Sequence, residues 1–268
     1  MEPITSRHNP IVARYRAAAR AEAADIVLLD GVHLAAEAMA SGVALREAAV
    51  SVGAADRPDV HEIVQRLMAA RVPVTPVTSS VMDALSPLRS ASGIVALAER
   101  PSTDAGAVFE GAACLVIVAV DVQDPGNLGA IVRVAEAAGA SGLIAAGACA
   151  DPFGWKALRG SMGSALRLPI AVQPDAAAAI EAARRHGCRV AAAVPRQGRS
   201  MLELDYTGAI AVLVGGEGSG LPPSIVAAAD ERLTIPMQPP VESLNAAVTA
   251  ALILYEARRQ RVVRGVQL

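Results

Sequence analysis

At 268 residues, with 53% hydrophobic residues, 19% charged residues and a formal charge of −2, the chain has the make-up of a core-forming protein, not a disordered one. Its longest uncharged apolar run, 111–120, is too short to cross a bilayer, and residues 1–7 hold no apolar signal core, so a cytoplasmic protein is expected. The formal charge of −2 argues against a nucleic-acid binder, since phosphate neutralisation usually needs a basic field, an objection tempered by the clustering of the arginines.

In chain order, a basic helix is predicted over 10–23, a strand over 25–29 and a helix over 32–40 that stops at Gly42. A strand over 48–52, an amphipathic helix over 61–70, a proline-bearing edge strand over 72–77 and a last strand over 93–97 follow. Residues 100–107 are rich in breakers and lack periodicity, which marks a linker. The division expected is a small domain over 1–100, a linker over 101–111 and a larger domain over 112–268. In the larger part, strands near 114–120, 142–146, 167–172, 189–194, 209–214 and 232–235 alternate with helices. Short apolar strands in this arrangement indicate an α/β fold with a parallel sheet covered on both faces.

Three polar segments directly follow apolar strands in this second part, where open parallel sheets bind ligands. The first, 121–133, reads DVQDPGNLGAIVR. Asn127 is placed to cap a helix whose apolar stripe is Leu128, Ile131, Val132, Ala135 and Ala138, and Arg133 falls on the opposite face, facing a cleft or simply solvent. The second, 213–221, reads LVGGEGSGL, in which the glycines allow positive φ and close ligand approach around the lone carboxylate of Glu217. Leu221 stands where a dinucleotide fingerprint needs its third glycine, and no Gly-Lys-Ser/Thr follows, so nicotinamide and ATP sites lack support. A purely structural glycine turn is the alternative reading. The third, 235–245, reads IPMQPPVESLN: prolines stiffen a loop, Ser243 is placed to cap a helix running to about 261, and Asn245 sits in its first turn. The stripe Leu244, Val248, Ala251, Leu252 and Tyr255 is expected to face core or partner.

Cys114, Cys149 and Cys188 have no metal-ligand spacing and read as reduced core thiols, and the four histidines are equally scattered, so no metal is expected. Twenty-three arginines accompany a single lysine, Lys156, and gather at residues 7–20, 184–199 and 258–264. With six aromatics in the chain, RNA recognition by widespread base stacking is excluded, leaving arginines and backbone shape.

In order and wording the three segments resemble the signature motifs of the SpoU/TrmH branch of the SPOUT RNA methyltransferases. The segment 156–164, KALRGSMGS, is a weaker match, and 4–20 with 30–38 is similar to the L30e-like substrate-binding domain that precedes many SpoU catalytic domains. The resemblance implies a SPOUT catalytic domain with a C-terminal trefoil knot, a rare exception to unknotted topology, behind a smaller L30e-like α/β domain. It implies S-adenosylmethionine as methyl donor, held around Gly216, Glu217, Gly218, Ile235, Met237, Ser243, Leu244 and Asn245, and a ribose 2′-hydroxyl of RNA as acceptor. Asn127, Arg133, Glu217, Ser243 and Asn245 match the family's active-site positions, Arg133 being assigned to activation of the hydroxyl, and family members are homodimers. Val134 and Gly216 depart from the commoner Thr and Ser.

Ribosomal RNA is the expected target, since the L30e-like extension is more typical of rRNA enzymes; the same chemistry on tRNA is the neighbouring reading. The competing class is a catalytically silent SPOUT-fold RNA-binding or ribosome-assembly factor. A generic nucleotide-binding α/β enzyme lacks its phosphate motifs.

Overall fold

The computed structural model describes residues 2–102 and 104–266. They fall into two compact units, one of residues 2–102 with 153–167 and one of residues 104–152 with 168–266.

The first unit begins with α1 (Pro10–Ala19), started by Pro10 and by Asn9, whose side chain accepts from the Ile11 amide. Then come β1 (Ile26–Asp30), α2 (Val32–Ala40), β2 (Leu45–Ser51), α3 (Pro58–Ala69), β3 (Val74–Val77), α4 (Ser79–Leu85) and β4 (Ile94–Glu99). The strands order β1-β4-β2-β3, with β4 antiparallel to both neighbours. Pro76 lies in β3, at the edge of the sheet where a missing N–H is tolerated. The core gathers Ile11, Val12, Tyr15, Leu28, Met82, Leu85 and Val95. Helix α4, which no sequence period announced, contributes Val81, Met82, Ala84 and Leu85 to it.

The second unit runs through β5 (Leu115–Val120), α5 (Pro125–Ala138) and β6 (Gly142–Ala146), before the chain supplies α6 (Trp155–Ser161) to the first unit. It resumes with β7 (Ile170–Gln173), α7 (Ala176–Arg185), β8 (Arg189–Ala193), β9 (Arg199–Ser200), β10 (Ile210–Gly215), α8 (Pro223–Ala228), β11 (Glu231–Thr234) and α9 (Ala246–Val263). The seven strands are all parallel, in the order β7-β6-β5-β10-β8-β11-β9. Each of the six residues of β5 is buried, as a central parallel strand requires.

Three expectations need correction. Residues 153–167 belong to the first unit, not to a continuous domain over 112–268: Trp155 packs against the first unit's core and α6 lies along β1. The stretch expected as linker holds Val108 and Phe109, both buried in the second core, so the second unit begins earlier than 112. Helix α9 buries Ala246, Ala250, Ile253, Leu254 and Ala257, whereas Val248, Leu252 and Tyr255 of the predicted stripe are 39–50% exposed. In so apolar a helix the period is ambiguous, and the small alanine face wins because it lets α9 approach α5 closely.

Cys114 and Cys188 are buried with their sulfurs 3.3 Å apart, Cys149 is half-buried, and all three are free thiols. Among the described residues no group of three His, Cys, Asp or Glu is placed to hold a metal, and no helix is long and apolar enough to cross a membrane.

Candidate active site

The three polar segments meet at the carboxyl ends of β5, β10 and β11. Beyond β5 the chain reaches Asp124, whose carboxylate accepts from the Asn127 amide at 2.8 Å. Asp124 is thus the N-cap of α5, and Asn127 lies within its first turn; Pro125 at the first helical position sets that register. Asn245, not Ser243, caps α9, its Oδ1 accepting from the amides of Ala247 at 2.9 Å and Val248 at 3.2 Å. Both corrections free a side chain: Asn127 has its amide available for a partner, and Ser243 is left in the loop.

That partner is Glu217. Its Oε1 accepts from Asn127 Nδ2 at 2.7 Å and from Asn245 Nδ2 at 2.6 Å, while Asn245 Nδ2 also donates to Asn127 Oδ1 at 3.1 Å. One carboxylate oxygen and two amides therefore join residues 118 apart in sequence. Glu217 lies between Gly216 and Gly218, and the loop admits no side chain at its narrowest points. A Cβ on Gly215 would stand 2.3 Å from the Gly220 carbonyl carbon, and one on Gly216 would stand 2.2 Å from the Asp121 carbonyl oxygen. Gly218 and Gly220 adopt φ of 86° and 63°, open to glycine and uncommon for others.

Behind this network lies a cavity of about 270 Å³. Gly216, Glu217, Gly218, Ile235, Met237, Ser243 and Leu244 line it, all named from sequence; Asn245 is not among the lining residues and reaches the site through its hydrogen bond to Glu217. The walls also include Ala193, Val194 and Pro195 at the carboxyl end of β8, Leu221, Val226 and Thr249, which sequence reading did not name as cofactor-binding. The rule that ligands bind beyond strand carboxyl ends would have found the β8 group once β8 was known to lie between β10 and β11. Leu233, Ile235, Met237 and Leu244 give an apolar wall fit for a flat ring, and the glycine loop offers main-chain groups without side-chain obstruction.

Arg133 is not among the residues lining the cavity. It is exposed on α5, between the buried Val132 and Ala135, and among the described residues its guanidinium has no partner. The N-terminal arginines behave differently. Arg7 donates to Ser80, Arg14 is bidentate to Glu47, Arg16 donates to the Ala84 carbonyl and Arg20 pairs with Glu22, so the cluster at 7–20 is used inside its own unit.

Residues 114–255 match the SpoU rRNA Methylase family and residues 1–110 the N terminus of thiostrepton-resistance methylases. The chain is 31% identical, over 96% of its length and 94% of the relative, to an uncharacterized tRNA/rRNA methyltransferase of Synechocystis. It is 28% identical, over 86% of its length and 88% of the relative, to the 23S rRNA (guanosine(2553)-2′-O)-methyltransferase of Bacillus subtilis. Among solved structures it resembles the AdoMet-bound rRNA methyltransferase from Sinorhizobium meliloti, with TM-score 0.85, 28% identity, and 96% of this chain and 97% of that one covered. The SpoU methyltransferase AviRb from Streptomyces viridochromogenes, in complex with AdoMet, gives TM-score 0.83, 28% identity, and 95% and 99% coverage.

Proposed function

The chain belongs to the SpoU rRNA methylase family and is an S-adenosylmethionine-dependent RNA methyltransferase; we propose that it methylates a ribose 2′-hydroxyl of ribosomal RNA. The observation that carries this reading is the Asn127–Glu217–Asn245 network, which ties three motif loops together over a glycine-walled cavity.

S-adenosylmethionine, when bound, supplies an electrophilic methyl group. The residues fit such a molecule: Ile235, Met237 and Leu244 would shield a ring from water, Gly216 and Gly218 would let the backbone approach without a Cβ, and Ser243 lines the same cavity with a hydroxyl to offer. Glu217, Asn127 and Asn245 are spent on one another and so hold the loops instead of moving a proton. Displacement at a methyl carbon needs alignment above all, and a preformed cavity provides it. Arg133 is the remaining charged candidate. As an exposed cation with only N–H donors to offer, Arg133 binds target phosphate and stabilises charge developing on the 2′-oxygen, rather than serving as a base.

The same reading includes a C-terminal trefoil knot formed by the segments around 215–220 and 235–245, and a homodimer built on the outward face of α9. Val248, Leu252 and Tyr255 stand in one row on that face, an apolar strip of the kind a second copy covers. Incubation of the purified protein with ribosomal and transfer RNA and methyl-labelled S-adenosylmethionine tests the acceptor. Label in ribosomal RNA supports it; label confined to transfer RNA redirects it. Sedimentation of Leu252→Glu tests the dimer, with a monomer expected and an unchanged mass contradicting it.

A further inference from the structure

Asp121 has a left-handed backbone, φ 53°, directly after the buried strand β5. Such a conformation is uncommon outside glycine, although Asp and Asn tolerate it best. Of the other four non-glycine residues with positive φ among those described, Ala21, Arg71 and Met162 follow or end helices, where a left-handed residue is an ordinary terminator, and Gln197 lies in the loop between β8 and β9. Asp121 ends no helix. What holds it there is a pair of contacts to the end of β6 and the loop after it: its amide donates to the Ala146 carbonyl at 3.1 Å, and its Oδ1 accepts from the Ala148 amide at 2.7 Å.

On the other side, the Asp121 carbonyl oxygen lies where a Cβ of Gly216 would come within 2.2 Å, and the Gly216 amide donates to the Val120 carbonyl at 2.8 Å. The fit is equally close toward β6, since a Cβ on Gly147 would stand 2.4 Å from Asp121 Oδ1. Asp121 is therefore wedged between two glycines at the carboxyl ends of β6, β5 and β10, three strands adjacent in the sheet. The residue after Gly216 is Glu217, the acceptor for both asparagines.

We propose that Asp121 is a positioning residue for methyl transfer: its carboxylate, anchored to Ala148, locks a left-handed turn whose carbonyl sets the height of Gly216 and hence the place of Glu217 in the cavity wall. The inference rests on the reading that the glycine loop holds S-adenosylmethionine. A residue that merely turned the chain would be replaced by glycine without loss, because glycine adopts the same φ freely. A positioning carboxylate would not be.

The test is calorimetric S-adenosylmethionine binding together with kcat and KM for RNA on Asp121→Gly, Asp121→Asn and Gly147→Ala. Losing the anchor in Asp121→Gly raises the Kd for S-adenosylmethionine about tenfold, the effect of one lost charge-assisted hydrogen bond, with the KM for RNA little changed. Asparagine, which keeps an acceptor oxygen and tolerates the turn, restores most of that affinity. Gly147→Ala pushes on the same carboxylate from the opposite loop and weakens cofactor binding in the same direction, so the idea stays testable if Asp121→Gly folds poorly. Cofactor affinity close to that of the natural protein in Asp121→Gly or, should that variant not fold, in Gly147→Ala overturns it. Glu217→Ala reports on the underlying site. Unchanged affinity there contradicts the cofactor placement itself, whereas loss there without loss in the Asp121 and Gly147 variants removes the role of Asp121 alone.

Discussion

The two ends of the seven-stranded sheet use polar side chains in opposite ways. At the amino ends, Arg261 is 2% exposed and is consumed entirely by main-chain carbonyls: Tyr206 at 2.9 Å, Ala113 at 2.5 Å, Gly208 at 3.0 Å and Cys114 at 3.4 Å. Gln260 beside it donates to the Leu204 carbonyl and accepts from the Tyr206 amide. At the carboxyl ends, Asn127, Glu217 and Asn245 bond chiefly to each other, line or flank a cavity and stay open to solvent, and Arg133 bonds to nothing described. One helix, α9, spans both ends, with Asn245 at its start and Arg261 in its last turn. An arginine is thus a staple at one pole and, in the function proposed above, a reagent at the other; burial and partner count tell them apart.

The contrast can be broken at its largest expected effect by Arg133→Ala. Methyl transfer should fall about 100- to 1000-fold, as when a donor to developing negative charge is removed, with the unfolding midpoint and S-adenosylmethionine affinity retained. Near-normal turnover would make Arg133 a solvated side chain. Arg261→Ala should do the reverse, lowering stability by about 3 kcal/mol because buried carbonyls lose their donor, as read by denaturant unfolding. A change below about 0.5 kcal/mol would show that water replaces the guanidinium at little cost.

Smaller effects sharpen the same picture. Glu217→Gln keeps an acceptor oxygen and loses its charge, so cofactor affinity should drop about fivefold, charge-assisted bonds being the stronger kind. Smaller still is a pH effect near Arg261. The Arg259 guanidinium donates to Glu256 at 2.7 and 2.8 Å and holds that buried carboxyl below its ordinary value. A depressed carboxylate stabilises the fold above its unfolded pKa, and that contribution disappears as pH falls from about 4 downward through the folded value. Glu256→Gln should therefore flatten the acid limb of a stability–pH curve by about 1 kcal/mol or less, measured between about pH 5 and pH 3. An unaltered limb would assign acid sensitivity elsewhere.

Much of the carboxyl end was legible in the sequence and little of the amino end was. Glycines and prolines betray ligand loops because only they meet the backbone demands there, and Gly216, Gly218 and Met237 all line the cavity. Caps were misplaced by two or three residues because Asp, Ser and Asn compete for the same role; only the register set by Pro125 separates Asp124 from Asn127. Arg261 looked like part of a basic tail, since a buried arginine and a phosphate-binding one are written alike, and its four acceptors are main-chain groups that leave no mark in side-chain identity. Residues 153–167 were assigned to the wrong unit for a related reason: the docking of Trp155 on another sheet's core is a tertiary choice, invisible to local periodicity.

The most direct test of the central claim is the position of the transferred methyl. After reaction with labelled S-adenosylmethionine and ribosomal RNA, alkaline hydrolysis should leave the label in a dinucleotide resistant to cleavage, the mark of a blocked 2′-oxygen. Label released as a mononucleotide methylated on its base, or no label in any RNA, would contradict the account.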